Sequence, residues 1–495
     1  MSKKSAYITH FNRSKLIYLL AVFNGHEMKK FRAFLSTPTH YSGKVILELF
    51  DALALFHPKF VDARLTAEHL YAKVFPGEAF DYQKLKKRMS DLVRLTYQFM
   101  AHEAIAENPY LEQQLIASYL GRRNFDRLEN YVGLQRKKME TEDERGAAWF
   151  RHFYQLSNMV YHHPEFEKLP PKGIDLTGVS QSLDKWFALE KLMQVSEAID
   201  MQRFTQHKAE VQMLNVAEEW LEREQPNEPI FLVLEKTLLL LKAGEEEYFK
   251  SAKSAYLTHY DRMASTECSI IFQLLLNHSA RQYRNISSEQ WLMEVFELLQ
   301  FGLQKGLLVF NGKMREGTFT NISNTSVLAG KYKWADDFIA KYQDHLDENI
   351  RRDVVSLALA FLHFHQKEFE IAYDKLMPPK SFVSLRHRLV ARPLIVRCLF
   401  EMQLRDENYS SLFISELKSF EKFIRSNKSM NINHKTPYLH FIKILRQVAN
   451  GIIQQVADAG YWEKIISFLE KEPVMAKNWM LQRLEELKMQ KRWPQ

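Results

Sequence analysis

The sequence predicts an all-α protein, in which an N-terminal helical domain precedes a stack of helical hairpins. Only 16 Gly and 15 Pro occur among the 495 residues, and this scarcity of turn residues favours long helices. Good helix formers fill most segments, and their apolar residues recur at steps of three and four. A similar phrase also recurs where one amphipathic helix ends and the next begins.

Five helices are predicted in the first 108 residues. Asn24-Gly25 separates the first two, and Thr66 is a candidate N-cap of the fourth. The fifth is basic, and its apolar residues fall on one helical face. The predicted ranges are 14–23, 26–35, 44–56, 67–75 and 81–106.

Helical hairpins are predicted from residue 109 onward, and about 20 to 24 helices are expected in all. The clearest loop is 163–173, which is rich in Pro, and Pro393 predicts a kink or a break in the helix around it. Between residues 109 and 305 the predicted helices are 111–120, 126–139, 147–161, a run over 183–225, 228–242, 245–262, 265–283 and 288–304.

The recurring phrase ends one helix, makes a short polar turn and starts the next helix with an aromatic residue. Trp334 and Phe369 are 35 residues apart, and Phe369 and Tyr409 are 40 apart, which brackets the periods of helical-hairpin repeats. We expect these aromatic residues to pack between hairpins. The four are Phe125, Trp334, Phe369 and Tyr409.

Residues 328–376 resemble degenerate tetratricopeptide-like repeats. The resemblance lies in Gly330-Lys-Tyr-Lys-Trp-Ala and in Glu368-Phe-Glu-Ile-Ala-Tyr-Asp-Lys-Leu, with Pro378-Pro379 closing the second hairpin. It implies a right-handed α-solenoid of helical hairpins. With it, the expected domains are an N-terminal helical domain (1–108), helical-hairpin repeats (109–310), and tetratricopeptide-like repeats with terminal capping helices (311–495).

The N-terminal third resembles a family of large, uncharacterised all-helical proteins of Bacteroidota. The segments that carry this resemblance begin with Phe11-Asn-Arg-Ser-Lys-Leu and continue through Glu27–Pro38, Leu65–Gly77 and Leu85–Leu92. The family has no assigned activity, so the resemblance implies a fold and no site residues.

Segment 65–95 resembles the helix-turn-helix half of winged-helix activators, because a helix ending in Phe75-Pro-Gly precedes a basic helix. Those domains carry a β-hairpin wing after the second helix. Here the predicted helix continues through Tyr97 instead.

Composition restricts the environment and the partners. Cys268 and Cys398 cannot form a disulfide framework and are expected to be buried thiols. The polar N-terminus has no signal-peptide core, and the longest apolar runs, 238–241 and 270–276, are too short to span a bilayer. A cytoplasmic location is therefore predicted. The formal charge of +8 permits anionic partners without requiring them.

Arg388, Arg392 and Arg397 are candidate contacts for an anion or an acidic peptide, because arginines on one helix can clamp carboxylates. The alternative is pairing with internal acids such as Glu401 and Asp406.

A second basic set lies in the predicted helix 81–106 and would contact nucleic acid. Its members share one face within about 120°, which suits phosphate contacts. Asp91 lies within this face, and a plain solvated surface is the alternative. The set is Lys84, Lys87, Arg88 and Arg94.

The chain carries no phosphate-binding glycine loop, nucleophile-elbow motif or zinc-protease motif. Its near-adjacent histidine pairs diverge on a helix and cannot readily share a metal. We therefore expect a non-catalytic protein- or peptide-binding scaffold without cofactor or metal. The alternative is a nucleic-acid-associated regulator that uses the basic helix. The oligomeric state stays open.

Overall fold

A computed structural model of the chain describes residues 14–37, 44–168, 176–203, 212–454 and 458–489. Twenty-three α-helices occur in these residues, and no β-strand does. The predicted all-α class is therefore confirmed for the described chain. One isolated antiparallel bridge joins Phe310 and Lys313 around a tight turn.

The first eight helices precede residue 162. They are α1 (Lys15–Val22), α2 (Gly25–Ser36), α3 (Lys44–Ala54), α4 (Ala67–Val74), α5 (Tyr82–Ala106), α6 (Pro109–Gly121), α7 (Phe125–Glu140) and α8 (Ala147–Tyr161). The next eight are α9 (Leu176–Gln202), α10 (Leu214–Glu224), α11 (Pro229–Ala243), α12 (Glu246–His259), α13 (Ser265–Ile286), α14 (Glu289–Gln304), α15 (Glu316–Leu328) and α16 (Tyr332–Tyr342). The last seven are α17 (Glu348–His365), α18 (Phe369–Leu376), α19 (Leu385–Arg405), α20 (Ser410–Ser426), α21 (Ile432–Ile453), α22 (Ala459–Lys471) and α23 (Lys477–Met489).

The predicted helix bounds agree with these to within a few residues, because caps and turn residues mark most ends. The predicted run over 183–225 corresponds to α9 and α10, and residues 204–211 of it lie outside the described residues. The same holds for 169–173 of the Pro-rich loop and for 11–13 of the N-terminal resemblance.

The chain divides into two compact units, Met1–Leu189 and Glu190–Gln495, called here the N-terminal and C-terminal units. The predicted domain boundaries at 108 and 310 stay predictions. Helix α9 contributes residues to both units.

The N-terminal unit has an aromatic core in its first five helices. Phe31 is fully buried, and its ring centroid lies 5.6 Å from that of Phe23, 5.2 Å from Phe50 and 5.1 Å from Phe99. These four rings come from α2, the end of α1, α3 and α5, so one residue joins four segments. Edge-on and tilted aromatic pairs of this kind add stability beyond the area they bury.

N-caps confirm two of the predicted helix starts. The Asn24 side chain accepts hydrogen bonds from the backbone N–H of His26 and Glu27, while the Glu27 carboxylate accepts from the Asn24 N–H. This capping box satisfies donors that would otherwise have no partner at the start of α2. Thr66 caps α4 as predicted, by accepting from the His69 N–H at 3.2 Å.

The C-terminal unit is built from helices that pack on their neighbours in sequence. Consecutive helices pack on one another, most closely in the pairs α11/α12, α13/α14, α15/α16, α17/α18, α18/α19 and α19/α20. Several helices also pack on the next helix but one, namely α11 on α13, α15 on α17 and α17 on α19. A large apolar core joins α17 to α23.

The aromatic residues that follow the recurring turns lie in the core or against it, as expected. Phe125 is 3% exposed and stacks on His163 with ring centroids 4.6 Å apart. Phe369 is buried, and Trp334 and Tyr409 pack against core clusters. The sequence phrase therefore marks packing residues.

Two further predictions concern the interior. Cys268 and Cys398 are buried and unbridged, as expected. The sequence predicted a kink or a break at Pro393. Helix α19 continues through this residue, so the predicted break does not occur. Proline removes one backbone donor, but Pro393 is itself buried in the apolar core, and that packing holds the helix together.

A buried polar clamp joins three helices of the C-terminal unit. His387 of α19 lies between two carboxylates, with its Nδ1 3.1 Å from Asp353 Oδ2 of α17 and its Nε2 3.2 Å from Glu316 Oε1 of α15. The Val383 N–H also donates to Asp353 Oδ2 at 2.7 Å. The buried side chains of His387 and Asp353 thus each have a polar partner, which stabilises polar groups in the interior.

Candidate functional site

Helices α13, α14 and α15 of the C-terminal unit enclose an open groove of about 350 Å³. Both α13 and α15 pack on α14, and the groove runs between them. Its lining is Gln273, Leu276, Asn277, Ala280, Tyr283, Arg284, Val295, Leu299, Asn321 and Thr325.

One face of α13 forms the first wall. Its lining residues recur at steps of three and four from Gln273 to Arg284, which is the spacing of a single helical face. The opposite face carries the buried residues Ile271 and Leu275. The face toward the groove is mixed, with amide groups at Gln273 and Asn277 and apolar side chains at Leu276 and Ala280.

The floor of the groove is apolar. Val295 and Leu299 of α14 are 6% and 3% exposed, one turn apart. Leu276 and Ala280 of α13 pack beside them and are partly buried. A ligand that covers this floor would remove apolar surface from water, which favours binding.

The wall of α13 holds its amide groups in a fixed orientation. Gln273 Nε2 donates to Asn277 Oδ1 at 2.7 Å, and Asn277 Nδ2 donates to Asp200 Oδ2 at 2.6 Å. Asp200 is itself 5% exposed and forms an ion pair with Arg281 at 3.4 Å. This chain of contacts pre-organises the wall and compensates the buried carboxylate.

The second wall belongs to α15, where Asn321 is exposed and Thr325 is partly exposed. The hydroxyls of Ser323 and Ser326 donate to backbone carbonyls of their own helix and are buried on its other side. Asn321 and Thr325 make no side-chain hydrogen bond to any described residue, so they can bond to a ligand.

A close contact between α13 and α14 at Gly302 fixes the spacing of these two helices beside the floor of the groove. A Cβ at Gly302 of α14 would lie 2.4 Å from Cζ of Phe272 and 3.1 Å from Cδ1 of Leu308. Only glycine permits α13 to approach α14 this closely. Gly302 therefore helps to determine where the wall of α13 stands.

The lining carries one cation, Arg284, and no carboxylate. His278 follows Asn277 but points into the protein, where its ring stacks on Phe249 at 5.7 Å. Burial lowers the pKa of His278 to about 4, with Arg281 and Arg203 acting in the same direction. His278 is therefore neutral at pH 7 and adds no charge beside the groove.

The structure separates the three predicted arginines of α19. At 100° per residue Arg397 lies about 180° around the helix from Arg388, so they do not form one surface. Arg388 donates to the backbone carbonyls of Phe382 and Val383 at 3.0 and 3.2 Å. Its guanidinium is therefore already bonded to the backbone of the turn that precedes α19.

Arg392 is buried and pairs with Glu416 at 3.1 Å, which is an internal acid other than the two that the sequence suggested. The guanidinium of Arg397 lies 4.2 Å from the ring centroid of Phe364 and 4.8 Å from that of Trp479. Burial lowers the pKa of Arg397 to about 10. Anion binding by these arginines stays a prediction.

The basic set of α5 is only partly available. Lys84 pairs with Glu78 at 2.5 Å, and Arg88 pairs with Asp91 at 3.1 Å. Lys87 and Arg94 are exposed and form no ion pair with a described residue. Two of the four predicted cations therefore already have an acidic partner.

The described residues contain no group of three or more His, Cys, Asp or Glu that could hold a metal ion. Within the same residues no helix combines the length and apolar character needed to cross a membrane.

Comparison of the chain with protein-family models, with curated proteins and with solved structures gave no match. The resemblances noted in the sequence therefore stay predictions.

Sequence reasoning did not identify the groove. A weak signal was present in α13, because Gln273 and Asn277 interrupt an apolar helical run, whereas Asn321 and Thr325 lie among other polar residues of α15. Polar residues of this kind are common on solvated helix faces. Only the tertiary structure, which places α13 and α15 on either side of one groove, shows that these residues line a common surface.

Proposed function

We propose that this protein is a non-catalytic binding protein that holds a peptide or a segment of another protein in the groove between α13 and α15. The observation that carries the proposal is an apolar floor between two walls of amide and hydroxyl groups. Ligand sites typically combine apolar surface with a few oriented polar groups. The lining includes no pair of carboxylates and no nucleophile beside a base, so binding explains it better than catalysis.

We also propose that the groove belongs to a tetratricopeptide-like, right-handed α-solenoid. Supporting this, consecutive helices pack on one another and several also pack on the next helix but one. Stacking of hairpins produces such contacts and an extended binding face. A small-angle scattering profile of the full chain that fits a compact bundle better than a curved stack would contradict this architecture.

Blocking the floor tests the binding proposal. Ala280 lines the groove, so Ala280→Trp should fill it, whereas Ala340 of α16 is exposed elsewhere and Ala340→Trp is the matched control. The probe is a pool of random synthetic 12-residue peptides, and peptides retained by the full chain are identified by mass spectrometry. We expect the retained set to fall at least tenfold in Ala280→Trp and to be unchanged in Ala340→Trp.

Circular dichroism and thermal unfolding of both variants establish that the fold is retained. An unchanged peptide set in a folded Ala280→Trp variant would place binding elsewhere and refute the groove assignment. Because Ala280 also packs beside the core, Thr325→Trp provides a second obstruction from the opposite wall.

A nucleic-acid-associated role is the alternative proposal, and the exposed Lys87 and Arg94 of α5 favour it. Phosphate contacts would make binding steeply salt-dependent. Gel shifts with single- and double-stranded DNA and RNA at low salt should then show binding that Lys87→Glu/Arg94→Glu abolishes. Absence of any shift for the unaltered chain would eliminate this alternative.

A further inference from the structure

We propose that an exposed apolar ridge on α6 is a docking surface for α6 of a second copy of this chain, so that two chains pair through their N-terminal units. The ridge consists of Leu111, Leu115, Ile116 and Tyr119. This proposal concerns the N-terminal unit and does not depend on the groove between α13 and α15.

The amphipathicity of α6 is reversed, because its inner face is polar. His152 of α8 lies with its Nε2 2.7 Å from Gln113 Oε1 and its Nδ1 3.0 Å from Gln114 Nε2. Gln114 also donates to Gln155 Oε1 at 2.6 Å, and the Tyr110 ring stacks on His152 with centroids 4.4 Å apart. A surface helix normally turns its apolar stripe toward the core, whereas these polar contacts leave that stripe facing outward.

The outer face of α6 is apolar and accessible. Leu111, Leu115 and Tyr119 follow one another at steps of four and are 37%, 48% and 56% exposed, with Ile116 beside them at 38%. Of the residues of α6, all of which the structure describes, only Ala117 is buried. Side chains at steps of four form a ridge that packs into the groove of a facing helix. The four side chains expose on the order of 300 Å², the size of patch that marks an interaction surface.

The charges at the two ends of α6 are self-complementary. Glu112, in its first turn, is exposed and forms no ion pair with any described residue. Arg122, directly after its last residue, is exposed and bonds only to Ser118 of its own helix. A ridge with charges of one sign at both ends would repel a second copy. Opposite signs at opposite ends instead favour an antiparallel pair of identical helices.

One antiparallel alignment satisfies the apolar and charged groups together. When Leu115 packs against Tyr119 of the second copy, Glu112 lies at the level of Arg122 of the second copy. The two-fold axis repeats both contacts, as in the commonest kind of protein dimer. A parallel alignment would place Glu112 against itself.

Two features favour a protein partner over a lipid surface. At 100° per residue, Glu112 lies between Tyr119 and Ile116 on the helix. A bilayer would bury this carboxylate without a partner, at high cost, whereas a second copy supplies an arginine. Arg123 also holds the Tyr119 ring, with its guanidinium carbon 3.6 Å from the ring centroid. Tyrosine and arginine are typical of residues that dominate binding at protein interfaces.

The size of the ridge indicates a reversible dimer. Two ridges would bury about 600 Å², about half of the ~1,200 Å² of a small specific interface. Contacts around the ridge would add to this area. We therefore expect dissociation on dilution.

Sedimentation velocity of the full chain over about 1 to 100 µM, where an interface of this size dissociates, tests the proposal. The mass should rise from the 58.6 kDa of one chain toward twice that value. Leu115→Asp should weaken dimerisation at least tenfold, because it buries a carboxylate in the contact. Leu239→Asp of α11 is the matched control at 46% exposure and should change nothing. Circular dichroism establishes that both variants fold.

A charge exchange tests the antiparallel alignment. Glu112→Arg and Arg122→Glu each oppose like charges at two symmetry-related positions, so each should weaken the dimer about fivefold. The double variant Glu112→Arg/Arg122→Glu exchanges the charges and should restore the dissociation constant to within about twofold. Failure of the double variant to restore dimerisation would refute the antiparallel pairing of α6 with itself.

Three further outcomes would overturn the proposal. The first is the mass of a single chain at every concentration. The second is a dimer that Leu115→Asp leaves intact, because the contact would then lie elsewhere. The third is a monomer in which Leu115→Cys reacts with a maleimide at least tenfold more slowly than Leu239→Cys, because a segment of the same chain would then cover the ridge.

Discussion

Replacing Gly302 by alanine should destabilise the C-terminal unit, although alanine is the better helix former. The new Cβ would lie 2.4 Å from Cζ and 2.9 Å from Cε2 of Phe272. Carbon atoms in contact are separated by about 3.5 to 4.0 Å, so the ring or the helix must move by about 1 Å. Phe272 is 2% exposed, so its ring is confined, and Leu308 Cδ1 also lies only 3.1 Å from the new atom.

The magnitude follows from two opposing terms. Overpacking of a core costs about 1 to 3 kcal/mol, and the confined ring points to the upper end of that range. Replacing a helical glycine by alanine stabilises the helix by about 1 kcal/mol through its higher helix propensity. The net loss is therefore about 2 kcal/mol, which corresponds to about 30-fold in the equilibrium constant of opening.

Gly317 of α15 provides a control in the same unit. A Cβ there meets nothing within 4 Å, so Gly317→Ala keeps the propensity gain and stabilises by up to about 1 kcal/mol. The two variants make the same chemical change with opposite expected signs.

The assay is amide hydrogen exchange followed by mass spectrometry on peptides that cover α13 and α14. Because it reports local opening, it does not require the whole chain to unfold in one step. Gly302→Ala should accelerate exchange about 30-fold in these peptides, and Gly317→Ala should not accelerate it. Unchanged or slower exchange in Gly302→Ala would refute the argument that the close helix contact requires glycine.

Three further predictions concern caps, protonation and a second close contact. Asn24→Ala should destabilise the N-terminal unit by about 1 kcal/mol because it removes the capping box of α2; chemical denaturation measures this. Burial holds the pKa of His278 at about 4 and that of His152 at about 4, below about 6.5 in the unfolded chain. Protonation therefore favours unfolding, so stability is complete above pH 6.5 and falls by up to about 3 kcal/mol per histidine as the pH drops to 4. Gly451→Ala would place a Cβ 2.8 Å from both Trp462 and Tyr461 and should cost about 2 kcal/mol, read as a lower unfolding temperature.

The cap prediction and the protonation prediction each have a matched comparison. Ser14 is the N-cap of α1 without a side-chain hydrogen bond, so Ser14→Ala should cost much less than Asn24→Ala, and equal losses would contradict the cap argument. His278→Phe keeps the aromatic stacking and should reduce, but not remove, the pH dependence of the C-terminal unit between pH 4 and 6.5, because burial also lowers the pKa of His365 in this unit to about 4. A slope unchanged by that substitution would exclude His278 as its source.

Local signals in the sequence were sufficient for the helices. The caps at Asn24 and Thr66, the scarcity of glycine and the three-and-four spacing of apolar residues act over a few positions each. The aromatic residue after each recurring turn also lies in or against the core as expected, although its packing partner is distant in sequence, as His163 is from Phe125.

The interaction partners of the α19 arginines could not be predicted from the sequence. Their spacing is visible in the sequence, but their partners are not. Arg392 is paired with Glu416, 24 positions away, and Arg397 stacks on Phe364 and Trp479, 33 and 82 positions away. No pattern in a single sequence specifies such pairs.

The sequence by itself thus determined the all-α class of the described chain and the limits of most helices, because these depend on contacts within one or two helical turns. The recurring phrase also marked aromatic residues that pack inward. Only the tertiary structure decided which polar faces meet. Asn277 and Asn321 are 44 residues apart and become opposite walls because α13 and α15 both pack on α14. That packing depends on long-range burial and on one close approach at Gly302, which no local periodicity encodes.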